Sequence, residues 1–357
     1  MNTNPTFLVN KSNLFDSKVF HLEKPELKAQ EVLFEIERFS FTSNNVTYAV
    51  VGDKIGYWNF FRATEPNGII PCWGYAKVVE SKIESLKIGD EFYGYWPMSS
   101  YLIVKPENIK PFGFIDGTTH RKPLPPIYNF YAKKPASFSD VEKGYYSIIK
   151  PLFTTAYLNY SFLKDEKFFG ADQILLTSAS SKTALGIAYM LFSNKEQHGK
   201  KIIGLTSSKN KVFLQETGLY DQIFSYDELD NIPSLKTTMV DLGGNIELLL
   251  KITNQLNEHL RFTSLIGLAD WKSAGDMKQV PNSKFFFAPD YATKLFQKLG
   301  PDVANEQINK TQENFTELAQ NWIDLKFVHF EAGIKDLYLN MLDGKVDPSK
   351  GYVVLVN

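Results

Sequence analysis

The chain has a single cysteine in 357 residues, Cys72. An internal disulfide is therefore impossible, and a thiolate-rich zinc site is excluded. Cysteine poverty fits a reducing cytoplasm. Long apolar runs are missing too. None approaches the roughly 20 residues that span a bilayer, and the opening MNTNPTFLVNKS has no basic region followed by an apolar run, so no signal peptide is expected. An excess of either charge is also absent: 39 Lys and Arg stand against 40 Asp and Glu. That balance leaves no global electrostatic reason to bind nucleic acid or an anionic membrane. The five histidines, His21, His120, His198, His259 and His329, show no metal-ligand spacing, so no metal is expected. The reading is a soluble, cytoplasmic protein with a small-molecule substrate.

What is present is length and aromatic bulk. The length predicts two domains, or one with a large insertion, and the abundance of Phe and Tyr supplies a substantial core. Up to about residue 110, short apolar strands alternate with turns: EVLFEIERFSF (31–41), GYAKVVES (74–81), EFYGYWP (91–97) and YLIVKPENI (101–109), the last ended by Pro106. They predict a small β-barrel or sandwich. Pro111, Pro123, Pro125, Pro126 and Pro135 make 111–136 a long loop over the surface or over a cleft. From about 152 to 290 helical and strand periods alternate, as in a parallel sheet covered by helices. Residues 291–325 read as helix broken near Gly300 and Pro301, and the tail as strand, helix, turn, strand.

The most telling segment is 173–211. QILLTS is a strand, ASSKT a tight turn, ALGIAYMLFS a helix, KIIGLT a second strand and SSKNK a basic loop. This is a βαβ unit of nucleotide-binding length with its turn on a helix N-terminus. The turn has no glycine. Ser178, Ser180, Ser181, Lys182 and Thr183 take its place, with Ala184 and Gly186 keeping the helix slim. Two readings stand for the turn: serines that only cap a helix beside a solvated lysine, or amides and an ammonium group that hold phosphate. A triphosphate P-loop is disfavoured because both its glycines are missing. The second strand ends at Thr206 without the carboxylate that would hold a ribose 2′-hydroxyl; none appears until Glu216. Ser207, Ser208, Lys209 and Lys211 come instead. They suit a 2′-phosphate, or form a solvated basic loop.

With the N-terminal half, these residues resemble the medium-chain dehydrogenase/reductase superfamily in its zinc-free, quinone-oxidoreductase-like division. TSNNVTYAVVGD (42–53) looks like its substrate-side strand and loop. PCWGYAKVVES (71–81) sits where zinc-dependent relatives have Gly-His-Glu. LKIGDEFYGYWP looks like its Gly-Asp-Arg-Val strand, LLTSASSKTALG like its glycine turn, and MVDLGGN (239–245) and LIGLADW (265–271) like later Rossmann strands. NNVTYA, PMSS and SASSKTALG together resemble an uncharacterised branch, one known only as a domain of unknown function. The resemblance implies an α/β protein: a GroES-like β-barrel catalytic domain over 1–150, completed by 296–357, and a Rossmann doubly wound parallel sheet over 151–295, with the active site in the cleft between them. It implies NADPH, with Lys211 at the 2′-phosphate, Ser208 near it, and Ser178, Ser180, Ser181, Lys182, Thr183, Thr206, Ser207 and Gly267 around the coenzyme. It also implies a homodimer.

A zinc-free reductase needs a donor at the substrate carbonyl. Tyr48 and Asn45 are the catalytic candidates, the alternative being that Tyr48 packs in the barrel wall. Arg121, Tyr128 and Tyr131 would close over substrate, or belong to an ordered surface loop. Trp58, with Phe60 and Phe61, would line an apolar pocket or simply fill the core. The expected reaction is hydride transfer from NADPH to an α,β-unsaturated carbonyl or quinone. The alternatives are a non-redox lyase or a ligand-binding protein on the same scaffold.

Overall fold

The computed structural model describes residues 3–133, 137–268 and 270–356, so Pro135 and Ala269 lie outside the described residues. Contacts divide the chain into one unit of 1–148, 325–346 and 350–357, and a second of 149–324 and 347–349. The C-terminal return to the barrel thus begins at Leu325, not at residue 296. The reason is a helix over 301–319 that packs inside the second unit, where Phe315 stacks on Phe153 at 5.0 Å.

The first unit begins with β1 (Thr3–Asn10), β2 (Asn13–Glu23), β3 (Val32–Phe41), α1 (Ser43–Val50), β4 (Asn67–Gly68), β5 (Pro71–Ser81), β6 (Glu91–Pro97), β7 (Tyr101–Val104), β8 (Pro106–Lys110), β9 (Gly113–Asp116) and β10 (Phe130–Lys133). Helix α2 (Asp140–Asp165) then runs on into the second unit. Pro106 ends one strand and opens the next. Two expectations are corrected here. The segment 42–53, rich in strand formers, is largely helix: Asn45 Oδ1 accepts the Thr42 amide at 2.8 Å, fixing a helix start that outweighs β propensity. The proline-rich stretch is a loop only in part: β9 and β10 are antiparallel partners within it, and residues 117–129 connect them.

The second unit holds β11 (Gln173–Leu176), α3 (Lys182–Ser193), α4 (Lys195–His198), β12 (Lys201–Thr206), α5 (Lys211–Thr217), β13 (Gln222–Ser225), β14 (Thr237–Asp241), α6 (Ile246–Leu256), β15 (Leu260–Leu265), β16 (Ser283–Phe285), α7 (Ala288–Leu299) and α8 (Pro301–Ala319). All six strands are parallel, in the order β13-β12-β11-β14-β15-β16. This is the doubly wound arrangement, whose direction reverses between β11 and β14. Leu175, Ile203, Leu205 and Met239 of the sheet pack with Leu249, Ile252 and Leu256 of α6 in one core. Gly186 lets α3 approach α2, since a Cβ there would lie 2.8 Å from that of Ala156.

The chain returns to the first unit with β17 (Asp324–His329), α9 (Phe330–Leu342) and β18 (Lys350–Leu355). They complete a sheet in the order β17-β18-β3-β5-β6-β10-β9-β8, with β7 also on β3. Pro151 inside α2 has no N–H, which frees the Ser147 carbonyl. The buried Ser40 hydroxyl of β3 donates to that carbonyl at 2.8 Å. Among the described residues no helix is long and apolar enough to cross a membrane, and no group of three or more His, Cys, Asp or Glu could hold a metal ion.

Candidate functional site

The carboxyl ends of β11 and β14 flank the point where the sheet changes direction, the place where open α/β sheets take ligands. A cavity of about 290 Å³ lies there, lined by Ser178, Tyr226, Leu229, Gly243, Asn245 and Leu248, with Glu247, Lys251 and Asp270 adding charge. Ser178 follows β11 with φ +45°, the left-handed region that glycine favours. The missing glycine reappears across the crevice. A Cβ on Gly243 would sit 3.0 Å from Ser178 Oγ, and Gly244 takes φ +75°. The loop after β14 is tied down by buried Asp241, which accepts the Thr177 hydroxyl and the amides of Gly243 and Gly244 at 3.2 and 2.8 Å. Burial raises the Asp241 pKa, and those three bonds oppose the shift.

The predicted turn residues fall around this crevice, most of them already engaged. Ser180 Oγ accepts from the Thr206 hydroxyl at 3.2 Å and from Asn210 Nδ2 at 3.0 Å, fastening the turn to the end of β12. Ser181 caps α3 by accepting the Ala184 amide at 3.3 Å. The Lys182 ammonium donates to the Pro348 carbonyl at 3.2 Å; burial lowers its pKa to about 8, against the pull of Asp347. Thr183 lies in the first turn of α3, whose leading amides have no partner within the helix. Gly267 follows β15 and packs under the β14 loop, where a Cβ would come 2.8 Å from the Leu242 carbonyl.

At the far end, Lys211 pairs with Glu228 at 2.6 Å and the Ser208 hydroxyl donates to Asp227 at 3.1 Å. The Lys211 ammonium and then the Ser225 amide hold Glu228 down to about 2. The carboxylates that β12 lacks are thus brought in by the loop after β13. Ser207 Oγ is buried without a partner among the described residues. Sequence reasoning missed Tyr226, Asp227, Glu228 and the paired glycines. The Gly243-Gly244 step after an apolar strand was the signal for the glycines; the acidic loop lies too far along the chain to show its pairing.

In the barrel unit the candidates separate. Asn45 is held structurally, its Nδ2 donating to the Pro71 carbonyl at 3.0 Å while its Oδ1 caps α1. Arg121, expected over substrate, is instead 1% exposed. Its guanidinium meets Asp116 at 2.9 Å, the Tyr131 hydroxyl at 2.7 Å, Asn129 at 3.1 Å and the Tyr128 carbonyl at 2.9 Å. Tyr131 is fully buried and donates on to the Tyr95 carbonyl. Trp58 is wedged against Gly52 and Gly68, where any Cβ would collide with its indole. A buried ion pair and close packing explain these placements: such groups serve the interior. Tyr48 and Tyr128 join a different group. Tyr48 lies 4.4 Å from Tyr57 and 5.7 Å from Tyr95, and Tyr128 lies 4.8 Å from Tyr95 and 5.9 Å from Trp73, ring to ring. Burial raises the Tyr48 pKa, with Trp73, Asn44 and Tyr95 pulling the other way, so its phenol keeps its proton at neutral pH.

No curated protein matches the sequence. Among solved structures the chain is similar to CurA from Vibrio vulnificus, with 14% identity over 99% of each chain and a TM-score of 0.62. It is similar to the yhdH oxidoreductase from Salmonella enterica in complex with NADP, with 14% identity over 99% of this chain and 100% of that one and a TM-score of 0.54. It is also similar to Etr1p in complex with NADP and crotonyl-CoA, with 13% identity over 100% of each and a TM-score of 0.57. At these identities the likeness is one of fold: a GroES-like barrel unit and a Rossmann unit. A family profile, "Protein of unknown function (DUF2855)", matches residues 39–347, and the chain belongs to that family.

Proposed function

We propose that the protein is an NADP(H)-dependent oxidoreductase that reduces a conjugated carbonyl compound. The observation that carries this reading is the cavity at the ends of β11 and β14, reached by a left-handed Ser178 and faced by Gly243. The residues present fit an adenine nucleotide: Leu229 and Leu248 are apolar walls, Tyr226 and Asn245 are polar ones, and the first amides of α3 suit an anion. Solved structures of the same fold in complex with NADP support the coenzyme. Once bound, the reduced nicotinamide supplies hydride to the conjugated carbon. The chain's own part is to hold it and to stabilise charge on the substrate oxygen. Ser207, Lys211 and Ser208 are assigned to the 2′-phosphate, which must draw Lys211 from Glu228. Tyr48, a neutral phenol, is assigned as donor to the carbonyl oxygen.

Titration of NADPH against NADH, followed by nicotinamide fluorescence, tests the assignment. NADPH binds more tightly, Lys211→Glu abolishes the preference, and Glu228→Gln increases it. Equal affinities in the wild type would overturn the 2′-phosphate site. A second reading, a ligand-binding protein without redox activity, is favoured by one feature: two of the cations assigned to the coenzyme, Lys182 and Lys211, already hold protein oxygens. Absence of any NADPH binding would establish that reading instead.

A further inference from the structure

The neighbouring strands β6, β10 and β9 finish at one end of the barrel sheet. Lys133 stands opposite Phe92 and Ala132 opposite Tyr93 on one side of β10, and Ala132 stands opposite Gly113 on the other. The turn that leads into β6 and the turn that leads into β9 therefore share that end, two strand spacings or about 10 Å apart. Lys133 ties them together. Its amide donates to the Phe112 carbonyl at 2.9 Å, and its ammonium meets Asp90 at 2.8 Å.

The first turn closes with the Asp90 amide on the Lys87 carbonyl at 3.0 Å, and Gly89 takes φ +89°, so Ile88 occupies the outer corner. The second is the two-residue loop Pro111-Phe112, with Lys110 opposite Gly113. Such corners ordinarily carry Gly, Pro, Asn, Asp or Ser. Here they carry the two most exposed large apolar side chains among the described residues, Ile88 at 74% and Phe112 at 65%. Both corners are already held: the Gly89 amide donates to the Val78 carbonyl at 2.8 Å, and the Phe112 ring lies 6.3 Å from that of Phe130. Little ordering is left for binding to cost.

A cation accompanies each tip. Lys87 precedes Ile88, and Lys110 lies two residues before Phe112. Both lysines are exposed, and neither is in an ion pair among the described residues. The Asp90 carboxylate is matched by Lys133. Large apolar side chains that project singly from turns offer a protein partner no continuous patch, whereas a fluid lipid surface closes around each of them. Unpaired ammonium groups beside them favour anionic headgroups. The balanced charge of the whole chain leaves that local attraction intact.

We infer that this end of the barrel docks on an anionic phospholipid bilayer, with Ile88 and Phe112 dipping into its interface and Lys87 and Lys110 at the headgroups. The surface lies within the barrel unit and needs no coenzyme.

The test is flotation of the full chain with vesicles of phosphatidylcholine alone, or of phosphatidylcholine mixed with phosphatidylserine. The chain floats with the mixed vesicles, far more weakly with the neutral ones, and molar salt weakens the binding. Ile88→Ser with Phe112→Ser, and separately Lys87→Gln with Lys110→Gln, each lower vesicle affinity by about tenfold. Tm stays unchanged in both, because the side chains are exposed. No flotation of the wild type with the mixed vesicles, equal flotation with both kinds, or flotation unchanged in either double variant would each overturn the inference. Sedimentation velocity without lipid checks the other occupant. A wild-type dimer that Ile88→Ser with Phe112→Ser turns into monomer would assign the tips to a second copy of the chain instead.

Discussion

The turn after β11 and the aromatic face of β5 and β6 are built on opposite terms. In the turn, Thr177 holds Asp241, Ser180 takes Thr206 and Asn210, Ser181 caps α3 and Lys182 reaches Pro348. On the barrel face the Tyr75 and Tyr93 hydroxyls are buried with no hydrogen-bond partner among the described residues. The difference teaches that polar side chains crowded at a sheet end need not be ligand groups. Those of the turn do the work a glycine turn leaves to backbone, and Ser181 already takes one of the first amides of α3.

Substitutions can break this contrast, because removing an engaged group destabilises and removing an unengaged one does not. The largest effect is expected at the buried pair of Arg121 and Asp116. Arg121→Ala strands Asp116 in the interior and lowers unfolding free energy by about 3–5 kcal/mol, as for other buried pairs that lose one member. A urea midpoint within error of wild type would refute it. Next, Thr177→Val leaves the Asp241 carboxylate and the Leu242 amide each short of a bond. It costs about 1–3 kcal/mol, read from the same curves. The sign then reverses: Tyr93→Phe removes a buried hydroxyl that has no hydrogen-bond partner among the described residues and raises stability by up to about 1 kcal/mol. A loss of stability there would mean that the hydroxyl has a partner in solution.

Much of the fold was legible from the sequence. KIIGLT and EFYGYWP are strands over the residues expected, and the break at Gly300 and Pro301 does separate α7 from α8. The failures share a cause. Residues 42–53 and 111–136 were judged by local propensity, but Asn45 capping and the pairing of β9 with β10 decided them. Arg121 and Trp58 looked like site residues because charged and large aromatic side chains stand out in a sequence, whereas a partner such as Asp116 or a gap beside Gly52 and Gly68 is a tertiary fact. The aromatic face did leave a signal, the spacing W-G-Y and Y-G-Y on two strands, but its meaning depends on register, which pairs one glycine with the other.

The smallest expected effect sharpens the comparison at Lys182, the turn's one cation. Burial lowers its pKa from 10.5 to about 8. Between those values the unfolded chain binds the proton more firmly than the folded one, so this group's contribution to stability rises with pH across that window. Coenzyme affinity moves the other way if the ammonium touches phosphate, because the charge is lost as pH climbs through about 8. NADPH dissociation constants at pH 7 and 9 should then rise severalfold in the wild type and stay level in Lys182→Met. A level wild-type profile would assign Lys182 wholly to its Pro348 contact, and the turn would then grip phosphate with backbone alone.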